Sequence, residues 1–140
     1  MTTESLALQH SIYQTLSNAT ALTSLLGGAG IYSKAPQGQA LPYMTLGQTV
    51  TLDWSTGTEL GTEHDLTLHV WTSAGSAEEV QEIIEAVKTL LHDQPLSLDE
   101  HYLVNLRHEF AEARIDPDGE TMHGIVRYRA VTEPQQQAAA

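Results

Sequence analysis

Residues 76–91 carry the apolar pattern that most constrains this chain: Val80, Ile83, Ile84, Val87 and Leu91 repeat at helical spacing, and Leu90 widens the stripe. Ser76-Ala77-Glu78-Glu79 reads as a capping box in front of it. Glutamates fill the first turns, Lys88 and His92 come late, and Pro95 stops the run. A helix with one such face must lie on something apolar, and the segments on both sides supply strands.

Before it, Tyr43 to Trp54 places Met44, Leu46, Val50, Leu52 and Trp54 on one parity, with Tyr43, Thr45, Thr49, Thr51 and Asp53 on the other. In Glu63 to Thr72, Leu66, Leu68 and Val70 alternate with Asp65, Thr67, His69 and Trp71. The Ser55–Thr62 connection makes these a hairpin with a long loop, where interaction surfaces tend to sit. By parity Trp54 points inward and Trp71 outward. An outward tryptophan is either covered by another helix or used in an interface.

After the helix, Leu96–Leu98 reads as a small strand. Tyr102–Ile115 and Met122–Glu133 follow as a second hairpin, turned by Asp116-Pro117-Asp118-Gly119. Val104, Leu106 and Phe110 share a parity, as do Val126, Tyr128 and Ala130. Near the start, Glu4–Ser17 is a helix with Leu8, Ile12 and Leu16 in line, followed by a helical turn at Ala19–Leu26 that Gly27-Gly28 ends. Ile31-Tyr32 is a short strand before a polar loop, Ser33 to Leu41. The expected fold is α+β: a mainly antiparallel sheet of two hairpins with helices packed on one face. Residues 1–133 form the single domain and 134–140 a disordered C-terminal tail. The other sheet face is free to meet something else.

With 140 residues the chain has length for one core without staples, and it has no cysteine. That excludes a disulfide framework, cysteine-ligated zinc and a thiol nucleophile. No apolar run is long enough to span a membrane. Met1-Thr2-Thr3-Glu4 is no signal peptide, so the chain is expected in the cytoplasm unless built into a particle. The net charge of −12 comes from 18 acids against 6 bases and disfavours nucleic acid and anionic membranes as binding partners. Four of the six bases are Arg107, Arg114, Arg127 and Arg129. Acids concentrate in Asp53–Asp65, Glu59 and Glu63 among them, and at Glu78, Glu79, Glu82 and Glu85. Unlike regions on one chain suit head-to-tail pairing of copies, which closes into rings when the rotation fits; pairing within the chain uses the same residues.

Seven histidines invite a metal reading, but none has a ligand spacing, and His64 and His69 fall on opposite faces of their strand. A turn centred on Pro117-Asp118 sets His108 beside Arg127, away from His123. Asp116-x-Asp118-Gly119 lacks the further ligands of a calcium loop. Gly27-Gly28-Ala29-Gly30 is no phosphate loop, and no serine sits in a nucleophile elbow. The reading is therefore of no catalytic residue, metal or cofactor.

Taken in order, several segments resemble the tail-completion or tail-terminator proteins of long-tailed phages and gene transfer agents. They are Ile31-Tyr32 with Pro36-Gln37-Gly38, Leu41 to Gly47, Asp53 to Thr56, and Glu63-His64 with Leu66-x-Leu68-x-Val70-Trp71. Leu91-His92-Asp93, Asp116-x-Asp118-Gly119 and His123 to Ala130 complete the set. The resemblance implies a ring, usually of six subunits, at the head-proximal end of a tail tube. Such a ring stops tube growth, joins tail to head, and lets DNA pass without sequence readout. Its implied partners are further copies of itself, the tail tube protein and head-tail connector proteins, with no membrane. The implied location is the particle tail, after synthesis in the bacterial cytoplasm. On physical grounds the interface residues are Arg107, Arg114, Arg127, Arg129, Glu59, Glu63 and Trp71. Two other readings stay open: another head-tail joining or minor tail component, and a small enzyme or ligand-binding module with a pocket around His64, His69 and His108.

Overall fold

A computed structural model describes residues 3–28, 30–75 and 77–135. Helix α1 (Glu4–Ser17) and the short α2 (Thr20–Leu25) precede strand β1 (Ile31–Tyr32). The hairpin β2 (Tyr43–Asp53) and β3 (Thr62–Ser73) leads to α3 (Ala77–Leu91), and β4 (His101–Ile115) with β5 (Thr121–Pro134) closes the chain. One mixed five-stranded sheet runs β1-β2-β3-β5-β4, with β1 parallel to β2 and the other neighbours antiparallel. The expected α+β fold, with helices on one face, is what forms.

The local chemistry is direct. Thr3 caps α1 by accepting the Leu6 N–H at 3.2 Å. Gly27 and Gly28 take positive φ behind α2. Ser76, read as the cap of α3, lies outside the described residues. In the β4–β5 turn, Gly119 adopts φ 72° and donates to the Asp116 carbonyl at 2.9 Å. The Asp118 carboxylate accepts from the Glu120 and Thr121 amides and the Thr121 hydroxyl, so the turn itself uses this acid.

Leu8, Ile12, Leu16 and Leu22 join Val80, Ile83, Ile84, Val87 and Leu91 over Met44, Leu46, Leu66, Leu68, Val70, Leu106, Val126 and Tyr128 in one core. Gly124 lets α3 sit close: a Cβ there would stand 2.9 Å from Val80 Cγ2.

Four expectations change. In β2 the register slips between Leu46 and Thr49, so one extra residue reverses every later side chain. Val50 and Leu52 therefore leave the core side and are exposed, and Trp54, expected inward, is exposed beyond the strand end. In β4, slips between Leu103 and Asn105 and between His108 and Phe110 separate Leu106, which is buried, from Val104 and Phe110, which are exposed. The turn centres between Asp118 and Gly119, one position beyond Pro117-Asp118, and with the second slip His108 pairs with Tyr128, one position from the expected Arg127. Leu96–Leu98 forms no strand; Leu98 makes a single bridge to His101. Finally, β5 continues to Pro134, opposite His101, while 136–140 of the expected tail lie outside the described residues.

Candidate interaction surface

The helices leave one face of the sheet bare, and the register arranges its side chains in rows. From one end these are Leu52–Glu63–Val131–Asn105, then Val50–Asp65–Arg129–Arg107, then Thr67–Arg127–Phe110. Thr45–His69–Ile125–Glu112 and Tyr43–Trp71–His123–Arg114 follow. Six of the seven residues expected at an interface, Arg107, Arg114, Arg127, Arg129, Glu63 and Trp71, therefore share this face. Glu59 stands apart in the β2–β3 loop.

The arginines are not equivalent. Arg129 Nη2 donates to Glu63 Oε1 at 3.0 Å, with Asp65 directly opposite, so its charge is matched within the chain. Arg127 stands over the Phe110 ring, Cζ to centroid 5.5 Å. Arg107 and Arg114 make long, exposed pairs with Asp93 and Glu112 at 3.6 and 3.7 Å. Glu78, Glu82 and Glu85 are exposed on α3, on the opposite side of the molecule. The arginines and this acidic stripe thus occupy opposite sides of one sheet.

The β2–β3 loop is tied to itself. Trp54 donates its amide to Gly61 O at 2.9 Å, and Thr56 Oγ1 accepts the Glu59 amide at 3.0 Å. Ser55 Oγ donates to Asp53 Oδ1 at 2.7 Å. That hydroxyl, and then the Ser55 amide at 3.2 Å from the same oxygen, hold the Asp53 carboxyl below its ordinary range.

Sequence reasoning missed a histidine pair. His69 Nδ1 and His123 Nε2 are 2.8 Å apart, and His123 Nδ1 lies 3.6 Å from Asp116 Oδ1. Trp71 stacks on His123 with centroids 3.7 Å apart, and Tyr43 stacks on Trp71. Burial lowers the pKa of both histidines; for His123 the neighbouring His69 lowers it further, against Asp116. Only the outward parity of His69 and Trp71 hinted at this cluster, because His123 is 54 positions from His69. Beside it, a depression of about 500 Å³ opens between the 35–41 loop and the β4–β5 turn, floored by Tyr43 and Trp71.

The pocket considered around His64, His69 and His108 does not form. His64 and His108 are on the helix side and His69 on the bare side, because alternate residues of a strand face opposite ways. Among the described residues no three His, Asp or Glu side chains converge on a metal position. What this face offers is a mosaic of apolar, aromatic and charged groups, with a depression at its Tyr43–Trp71 end.

Residues 10–133 match the family of tail completion protein gp17. Tail completion protein gp17 of Bacillus phage SPP1 is 30% identical over 88 residues, 63% of this chain and 65% of that protein. The aligned stretch is thus just under two thirds of that relative's length. A chain in the solved virion of a native gene transfer agent particle is 30% identical with a TM-score of 0.83, covering 91% of this chain and 95% of that one. With the family matched over most of its length, this chain belongs to the tail completion proteins of phage-type particles.

Proposed function

We propose that this tail component closes the head-proximal end of a tail tube as a ring of identical subunits, six in number, and joins the tube to the head. The observation that carries the reading is the bare sheet face, a broad mosaic of apolar, aromatic and charged groups. It belongs to a chain that superposes on a virion chain over 91% of its length. In this reading the protein is not an enzyme. Arg107, Arg114, Arg127, Trp71 and the Arg129–Glu63 pair contact copies of the chain, the tube protein or the connector proteins, and Glu59 presents the β2–β3 loop to the same partners. DNA crosses the opening without being held, since a subunit of net charge −12 offers few phosphate partners.

Class-averaged electron micrographs of the purified protein, alone and with the tube protein, test this. Closed rings are expected in at least the second sample. A protein that stays monomeric in both, and is missing from purified particles, overturns the reading.

A further inference from the structure

The sheet ends in two open rims. On one side β1 covers β2 only at Met44 and Thr45, so the outer edge of β2 is bare beyond them. On the other side β4 is the last strand; residues 92–93 cap its outer edge at Leu106 O, which accepts the Asp93 amide at 2.8 Å, and at the His108 amide, which donates to His92 Nδ1 at 3.0 Å, and the edge is open from Phe110 to Ile115. Natural sheets guard such edges with lysine, proline or bulges. Neither strand has a lysine or proline. Their bulges leave regular stretches at Thr49–Asp53 in β2 and Phe110–Ile115 in β4.

Both rims expose large apolar side chains. Val50 and Leu52 on β2 are 42% and 49% exposed; on β4, Tyr102, Val104, Phe110 and Ile115 are 41–58% exposed. The inner strands β3 and β5 expose no large apolar side chain. Within the sheet, exposed large apolar groups occur only on these two outer strands, and such groups mark places where something covers them.

Strand direction selects the occupant. Through three antiparallel pairings, β2 and β4 run in opposite directions. A second copy in the same orientation therefore brings its β2 antiparallel to the first copy's β4, the polarity that continues the ladder. Charge does not oppose this: the one charge on β2 is Asp53, and on β4 Arg107 and Arg114 offset Glu109 and Glu112. The two rims differ, so the contact is heterologous, and repetition closes a ring that removes every edge.

We propose that β2 of each copy pairs with β4 of the next, so that the sheets of the ring form one continuous closed β-structure. The proposal rests on the ring reading above and specifies its copy-to-copy contact.

The absence of cysteine makes the test clean. Leu52→Cys is combined in turn with Tyr102→Cys, Val104→Cys, Phe110→Cys and Ile115→Cys in the full chain. Within one copy three strand spacings, about 14 Å, separate the rims, whereas a disulfide needs Cβ atoms about 4 Å apart. On mild oxidation at least one double variant is expected to give a covalent ladder ending at the ring number, while single variants stop at dimers. Rings in micrographs with no ladder from any pair overturn the rim contact and leave the ring reading standing. Monomers alone and with the tube protein overturn both.

Discussion

His69 Nδ1 and His123 Nε2 meet across the β3–β5 ladder at 2.8 Å, so one ring nitrogen must donate and the other accept. That bond needs at least one neutral imidazole, and protonating both puts two donors face to face. Burial favours the neutral form of each, and it does the same for His64 and His108 on the other side of the sheet.

The direction of the pH effect follows. Each folded-state pKa lies below the ordinary 6.5, so below that value the unfolded chain binds more protons than the folded one. Stability is complete above 6.5 and falls as pH drops through the folded values. Melting temperature should therefore decline between about pH 7 and about pH 5, before carboxylates contribute. His69→Asn should make that decline shallower. A slope unchanged in this variant would show that the pair does not couple folding to pH.

The bulge in β2 makes a second prediction, because it reverses which apolar residues matter. Val50→Ser and Leu52→Ser should each change stability by no more than about 0.5 kcal/mol. Leu46→Ala and Leu68→Ala, on the core side, should each cost about 2–5 kcal/mol. Chemical denaturation measures both, and a large loss at Val50 or Leu52 would restore the uninterrupted alternation.

That bulge also marks where the sequence stopped being legible. The α3 stripe, both hairpins, the β4–β5 turn and the bare sheet face could be read because period and turn chemistry are local. A bulge adds one residue without a composition of its own. Its traces were Gln48 and His108, polar residues on the apolar parity between Leu46 and Val50 and between Leu106 and Phe110. Gly47 was a third trace: a Cβ there would stand 2.7 Å from the His69 ring and the Thr67 carbonyl. The four arginines were legible only as a cluster in the last third of the chain; that they share a face depends on the slip between His108 and Phe110, which brings Arg107 and Arg114, seven positions apart, to one side. Their separate partners were not legible, because pairs such as Glu63–Arg129 depend on a long-range register.

The difference between the arginines can be measured. Arg129→Glu would set a carboxylate against Glu63 and opposite Asp65, so it should lower monomer stability by about 1 kcal/mol. Arg127 is exposed over Phe110, and its reversal to glutamate should stay within about 0.5 kcal/mol of the parent. Arg127→Glu is therefore the cleaner probe of assembly, where fewer rings are expected at unchanged melting temperature. Full assembly of Arg127→Glu would remove this residue from the interface.

Tyr128 is fully buried on the helix side, its ring edge-on to His108 at 5.3 Å and 85°. Its hydroxyl has no hydrogen-bond partner among the described residues, and burial, then Glu85, pushes its pKa far up. Desolvating such a group without a partner costs about 1–3 kcal/mol, while the ring contributes packing. Tyr128→Phe removes the cost and keeps the ring, so it should be neutral or stabilise by about 1 kcal/mol, raising the melting temperature by about 2–4 °C. Tyr128→Ala removes both and should cost about 3–5 kcal/mol, as large core truncations do. If Tyr128→Phe instead melts several degrees lower, the hydroxyl is satisfied by an enclosed water, and the helix–sheet core at this point is polar rather than dry.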